Sequence, residues 1–298
     1  MSSVGVSGDL GQISLEEGMV WMVTMTTVRA ELDEQGSHPI PQEQVLGPQK
    51  RPEVKLTELE IPQLWKNWVL ECEDLFMNQL DELPPLREIN HRIPLINESK
   101  IYHHWQLKCP DAFKPALMAK IEWYTGAGWW KPITALQATP MLCIPKSAKN
   151  PNELRMVFDL QEQNANTHKD LTPMPDQDVI QHVVAKAQYC LKCDISNAYK
   201  LIHVEPEDVW KTAFSTIIGT FASNVMQQGD CNAPSTFQRF ITHLFRDFVG
   251  KFVYAYLDDI FIFSETIAEH QEHIRLVINR LWESQMVSNP KKCDFLLR

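Results

Sequence analysis

Apolar residues recur near helical spacing from Ile61 to Leu80, at Leu64, Trp68, Leu75 and Leu80, and the pair Pro84-Pro85 closes that element. A second helix is predicted from about Asp111 to Thr125, with Phe113, Leu117, Ile121 and Trp123 or Tyr124 apolar. Between Trp130 and Asp159 the texture changes to short β-prone runs, MLCIPK and LRMVFDL, joined by the turn-rich SAKNPNE, which outlines a hairpin. PDQDVIQHVVAKAQ (Pro175–Gln188) reads as a helix with Val179, Ile180, Val183 and Val184 as its stripe and Pro175 in its first turn. It leads into an apolar strand, Tyr189 to Asp194. Asn232-Ala233-Pro234 then opens a helix reaching about residue 249, capped by Asn232, with Phe237, Phe240, Ile241, Leu244, Phe245 and Phe248 on one face. FVYAYLDDIFIF (Phe252–Phe263) reads as a tight hairpin with two acids at its tip. Thr266 and Glu269 fit a capping box for a last helix to about residue 285, carrying Ile267, Ile274, Ile278 and Leu281.

Residues 1–55 show no sustained periodicity and include a polar stretch punctuated by Pro and Gly, so they read as a poorly ordered leader or linker. Residues 56–130 read as a helical segment that precedes the strand-rich remainder. With 44% apolar and 9% aromatic residues in a chain of 298, the rest has the composition of a globular protein. The weakly polar run Gly18–Val28 is too short to cross a bilayer and lacks the flanks of a signal peptide, so a soluble intracellular protein with no membrane partner is expected, cytoplasmic or nuclear. Seven scattered cysteines argue against a disulfide framework. Cys190 and Cys193 form a lone Cys-x-x-Cys inside an apolar strand, without a second pair to complete a zinc site, and are read as structural.

The charge pattern runs against a phosphate-gripping surface, since the net charge is −10. Residues 141–298 carry 16 Lys+Arg against 19 Asp+Glu, a net of −3, and residues 1–140 carry 12 against 19, a net of −7. A binding groove in such a chain has to be locally basic.

The chemistry lies in the acids. Asp258 and Asp259 sit between two of the most apolar stretches of the chain. Two like charges about 4 Å apart there repel by roughly 4 kcal/mol at an effective dielectric near 20. A solvated turn is the bland explanation for any isolated Asp-Asp. Asp194, however, also ends an apolar strand, and three carboxylates at strand ends are the donor set that an oxygen-preferring divalent ion such as Mg²⁺ requires. Two such ions serve in-line phosphoryl displacement.

Tyr256-Leu257-Asp258-Asp259 resembles the Tyr-x-Asp-Asp motif of reverse transcriptases, and the likeness extends well beyond it. LRMVFDLQEQN (Leu154–Asn164) resembles the fingers motif of retrotransposon polymerases, DISNAYKLIHVEPED (Asp194–Asp208) the first-aspartate motif, and KTAFST with Gly219 the strand that follows. NAPSTFQR (Asn232–Arg239) resembles the helix opening after the nucleotide-binding turn, and KKCDF (Lys291–Phe295) the element after the palm. Upstream, LPPLREINHRIPL (Leu83–Leu95) is similar to the segment preceding the polymerase in gypsy-like long-terminal-repeat elements.

That resemblance implies an α+β polymerase palm, a ferredoxin-like antiparallel sheet backed by helices, with a fingers subdomain. Fingers would occupy residues 131–188 and palm 189–298, the two interleaved. It implies an RNA-directed DNA polymerase that uses two Mg²⁺ ions (or Mn²⁺), deoxynucleotides and a primed RNA or DNA template. Asp194 and Asp258 would be the main metal ligands and Asp259 a supporting carboxylate. Arg155 matches the fingers arginine on the triphosphate, where a guanidinium pairs bidentately with phosphate oxygens, and Lys146 the neighbouring lysine. Tyr199 matches the aromatic gate that leaves no room for a ribose 2′-hydroxyl, and Gln228-Gly229 the turn touching the incoming nucleotide.

Gypsy-like elements usually read Met-Pro-Phe-Gly-Leu at that turn, whereas this chain has Met226-Gln227-Gln228-Gly229-Asp230, which places an extra acid near a triphosphate. The sequence stops at Arg298, where the family continues into a thumb, an RNase H domain and, in the polyprotein, an integrase. A fragment or degenerate copy with the thumb absent is therefore expected. The competing expectation is a catalytically silent remnant acting at most as a nucleic-acid-binding or interaction module; a metallophosphohydrolase lacks a water-activating base.

Overall fold

The computed structural model describes residues 82–102, 109–147, 150–195, 197–286 and 293–297. The expected leader and the helix over Ile61–Leu80 lie outside the described residues. In chain order the regular elements are α1 (Lys114–Gly126), β1 (Trp130–Pro132), β2 (Thr139–Ser147), β3 (Asn150–Phe158), α2 (Gln161–Ala165), α3 (Gln177–Lys186) and β4 (Tyr189–Asp194). They continue with β5 (Phe214–Thr216), β6 (Gly219–Ser223), α4 (Ala233–Leu244), β7 (Val253–Tyr256), β8 (Asp259–Ser264), α5 (Ile267–Glu283) and β9 (Asp294–Leu297).

Four strands form an antiparallel sheet in the order β7-β8-β4-β9. With α4 before β7 and α5 before β9, this is the β-α-β-β-α-β ferredoxin-like arrangement that the resemblance implies. Its two faces follow from strict alternation along the strands. Leu191 and Cys193 of β4 and Ile260 and Ile262 of β8 pack with Phe237 and Ile241 of α4 and Ile274 and Val277 of α5. The intervening Cys190 and Phe261 turn the other way, onto Ile180 and Val184 of α3. Cys190 and Cys193 are accordingly buried on opposite faces of one strand and form no disulfide.

Five further strands form a second sheet, β1-β6-β5-β2-β3, in which only the β2–β5 pairing is parallel. An aromatic core holds it to α1: Tyr124 lies 4.7 Å from Trp130, and Trp130 lies 4.6 Å from Phe214, between ring centroids. Because β5 and β6 leave β4's sheet for this one before the chain returns at α4, the two sheets are interleaved in sequence. Residues 82–102 contain no helix; this segment ties the sheets together instead, His91 bridging to Val204 and Leu95 to Thr167. Arg87 donates from Nη2 to the Ser284 carbonyl at 2.8 Å and lies 5.2 Å over the Phe240 ring, and its burial lowers its pKa to about 10.

Three local expectations are corrected. The helix begun at Ala233 ends at Leu244 rather than near 249; Phe248 N–H instead bonds the Phe245 carbonyl, an i to i+3 turn. Phe245 and Phe248 still reach the core, because a three-residue step keeps both rings on one side. Asn232 occupies the cap position without capping: its side chain accepts from Asp170 N–H at 3.0 Å and donates to the His168 carbonyl at 2.8 Å. Pro175 lies just outside α3, whose cap is Asp176, accepting from Asp178 N–H at 2.9 Å. The Thr266–Glu269 capping box of α5 is present in both directions.

Candidate active site

The strand ends bring the acids together. Antiparallel register places Asp194 directly opposite Asp259, and Tyr256 opposite Asp259 on the other side. The connecting turn puts Leu257 in the left-handed region at φ +52° and brings the Asp258 carbonyl within 3.0 Å of Ile195 N–H. A non-glycine residue held there is sustained by its surroundings. Those surroundings are Gln238 of α4, 1% exposed: its Oε1 accepts Leu257 N–H at 2.8 Å and its Nε2 donates to the Ala255 carbonyl at 3.0 Å.

Asp259 is set apart from the other two acids by Lys192, two residues before Asp194 on β4, whose ammonium lies 2.9 Å from Asp259 Oδ2. Burial pushes the Asp259 carboxyl upward, Lys192 opposes that, and the nearby charges of Asp258 and Asp194 push it further up. Among the described residues no trio of His, Cys, Asp or Glu side chains converges on a single metal-sized point. The donor set nonetheless suits a hard cation: carboxylates only, with Asp258 and Asp194 raising the cost of ionising Asp259, and half-buried at the end of an apolar sheet.

Two cavities share Arg155, Tyr199 and Gln228, and one of them reaches Asp258. One, of about 630 Å³, is lined by Ile144, Arg155, Val157, Tyr199, Gln228 and Gly229 among others. The second, of about 570 Å³, shares Arg155, Tyr199 and Gln228 and adds Asp258, Lys200 and Trp130. Arg155 projects from β3 opposite Ile144 and is exposed. Tyr199 sits in a short helical turn after Asn197, half-buried, its ring 5.9 Å from Phe237. Its hydroxyl is pushed to higher pKa by burial and by the charge of Asp258, which places the ring beside the acids. Lys146 belongs to β2, with its side chain outside the described part of the structure.

Gln228, Gly229 and Asp230, in the turn from Met226 to Asn232, wall the first cavity. Gln227 is buried and donates to the Thr212 carbonyl at 3.3 Å, leaving Gln228 exposed toward the cavity. Gly229 adopts φ +101°, which L side chains rarely accept. Asn164 of α2 grips the peptides on either side, donating to the Gly229 carbonyl at 2.8 Å and accepting Cys231 N–H at 2.9 Å. Asp230 does not project into the cavity as the sequence leads one to expect: its side chain is 4% exposed, with Oδ2 3.3 Å from His91 Nε2 and Oδ1 accepting Asn232 N–H at 2.8 Å.

Gln238, Lys192, Asn164 and His91 were not singled out by sequence reasoning. Three of them lay in stretches that carried a signal: Asn164 as the last residue of the fingers stretch, Gln238 in NAPSTFQR and His91 in LPPLREINHRIPL.

Comparison with known proteins bears on what these residues do. The family described as reverse transcriptase (RNA-dependent DNA polymerase) matches residues 144–298, more than half of the chain. A retrovirus-related Pol polyprotein from transposon opus of Drosophila melanogaster is 34% identical over 169 residues, covering 56% of this chain and 17% of the relative. The corresponding polyprotein from transposon 297 of the same organism is 36% identical over 160 residues, 53% of this chain and 15% of the relative. The transposon Tf2-3 polyprotein of Schizosaccharomyces pombe is 29% identical over 243 residues, 80% and 18%. The chain thus spans less than a fifth of the length of these relatives. Among solved structures, a foamy viral protease-reverse transcriptase in complex with an RNA/DNA hybrid superposes with a TM-score of 0.68 at 20% identity, covering 88% of this chain and 35% of that one. Its complex with double-stranded DNA gives 0.64 at 21% identity, over 82% and 49%. At such identities the likeness is one of fold.

Proposed function

Because the chain belongs to the reverse transcriptase (RNA-dependent DNA polymerase) family, we propose that it carries the nucleotidyl-transfer site of a retrotransposon polyprotein, extending a primer 3′-hydroxyl with deoxynucleotides on an RNA or DNA template. The observation that carries this reading is the β4–β8 register, which sets Asp194 against Asp259, with Asp258 in the turn and in the wall of a cavity also lined by Arg155, Tyr199 and Gln228.

Asp194 and Asp258, with Asp259 beside them, are the residues that would hold two Mg²⁺ ions, or Mn²⁺, and such ions supply charge stabilisation to the attacking and leaving oxygens of the displacement. Arg155, and Lys146 next to it on the hairpin, bind the triphosphate; the planar guanidinium fixes its orientation by paired hydrogen bonds. Tyr199 stands beneath the sugar and excludes a 2′-hydroxyl. Gln228 and the bare backbone of Gly229 let the nucleotide approach the turn closely. Template and primer lie across the sheet edge that presents the acids, in keeping with the nucleic acid held by the foamy viral relatives of the same fold. The remaining polyprotein parts, thumb, RNase H and integrase, are the natural partners of this unit.

Primer extension on poly(rA)/oligo(dT) with dTTP and Mg²⁺ tests the reading, comparing the chain with Asp258→Asn. Extension by the unaltered chain alone supports it. Extension by both sinks the metal assignment, and extension by neither, with circular dichroism of a folded protein, sinks the activity.

A further inference from the structure

Asp230 puts an acid directly after Gln228 and Gly229, and the structure shows where its charge goes. Its carboxylate is turned off the nucleotide cavity into the protein, toward His91, which is 1% exposed and comes from the segment ahead of both sheets. His91 is itself fixed from three sides. Its Nδ1 lies 3.1 Å from Thr236 Oγ1 on α4, its N–H donates to the His203 carbonyl at 2.8 Å, and its carbonyl accepts Glu205 N–H at 2.9 Å. Asp230 nonetheless remains part of the wall of the 630 Å³ cavity, next to Gly229.

We infer that His91 is a positioning residue for the nucleotide pocket: by engaging Asp230 from behind, it keeps a carboxylate out of the space that a deoxynucleoside triphosphate fills. This rests on the polymerase reading above. The physical reason is the asymmetry of a buried pair. With both members present the carboxylate has the imidazole Nε2 3.3 Å away; with the imidazole gone, a buried anion has lost that polar neighbour, and turning outward to water relieves it. Outward here is the cavity, because Gly229 and the exposed Gln228 are its neighbours there. A residue that merely fills the core would act through stability and would be indifferent to the charge at position 230.

The test is equilibrium binding of a fluorescent dTTP analogue to the full chain on primed template. Ca²⁺ serves as a divalent ion that permits binding without turnover. His91→Leu is expected to weaken binding about tenfold, the effect of bringing one negative charge within several ångströms of the triphosphate. Asp230→Asn, which keeps the shape and removes the charge, is expected to restore binding when combined with His91→Leu. His91→Gln, which retains a polar side chain beside Asp230, keeps near-normal affinity. Unchanged binding in His91→Leu, or a double variant as weak as His91→Leu alone, overturns the inference while leaving the polymerase reading intact. If the unaltered chain binds no nucleotide, both fall. If His91→Leu does not fold, the decision passes to the double variant and to His91→Gln, and weak binding by either in a folded protein overturns the inference.

Discussion

The side-chain amide of Gln238 spans Tyr256, bonding Leu257 N–H at 2.8 Å with its oxygen and the Ala255 carbonyl at 3.0 Å with its nitrogen. One buried side chain from α4 therefore holds the turn that carries Asp258, including the residue in left-handed conformation. Gln238→Leu matches the volume but leaves both peptide groups unmatched, at a cost of about 1–3 kcal/mol each if they stay dry. Because a misplacement of about 1 Å can cost roughly 100-fold, single-turnover incorporation is expected to fall by that order with nucleotide affinity little changed. An equal loss in affinity would mean that Gln238 does not act through the turn.

Asp258 and Asp259 are expected to be unequal. Lys192 lies 2.9 Å from Asp259 Oδ2, so one of the two adjacent acids already has a cation. Asp258→Asn should abolish incorporation, whereas Asp259→Asn should retain about 1–10% of it, the residual of losing a supporting rather than a bridging charge. Titrating Mg²⁺ in steady-state extension checks this, with the requirement rising in Asp259→Asn. Equal and complete loss in both would contradict the asymmetry.

Tyr199 packs on Phe237 and lines both cavities. Removing the ring in Tyr199→Val opens room beside the sugar, and discrimination against ribonucleotides should drop on the order of 100-fold, the range over which a steric pocket rejects an added group. The ratio of kcat/KM for dTTP and UTP measures it. A ratio that does not move would assign the ring to the core.

Behind the sheet, Ser264 Oγ lies 2.9 Å from His270 Nδ1 and 2.7 Å from His273 Nδ1. Burial first, then the charge of His273, lowers the His270 pKa to about 3 from 6.5. The unfolded chain therefore takes up a proton on acidification that the folded chain refuses. Stability is fully present above about 6.5 and is lost as pH falls toward 3, by about 2 kcal/mol between pH 7 and pH 5 from this group. His273, also lowered by burial, adds in the same direction. Urea midpoints at the two pH values should converge in His270→Gln; an unchanged pH dependence would exclude the imidazole as its source.

The acids were legible in the sequence for a physical reason. A solvated turn explains one Asp-Asp, but acids ending two separate apolar runs, YCLKCD and FVYAYL, carry a desolvation cost that a cation relieves, so Asp194, Asp258 and Asp259 stood out together. Alternation along β4 and β8 and the Thr266–Glu269 cap were equally plain, since each is written within a few neighbouring residues. The supports were not. Gln238 on a helix looks like any solvated amide until α4 meets the hairpin, and Lys192 looks like an outward strand residue until β8 brings Asp259 opposite Asp194. The direction of Asp230 depends on His91, whose approach is a tertiary fact. The early end of α4 escaped because an apolar step of three residues is shared by α and tighter turns, so Phe245 and Phe248 fit both.

The pairing of β4 with β8 sets how finely this site can be misassembled. Leu191 faces Ile262 and Cys193 faces Ile260 across the same ladder that sets Asp194 against Asp259. Sliding β8 by one residue would carry Asp258 along by about 3.3 Å and turn Ile260 and Ile262 away from α4 and α5. Errors of placement along the strand therefore arrive in whole steps, each as large as a misfold, and the oily side chains that never meet a nucleotide act as the detent of the catalytic centre.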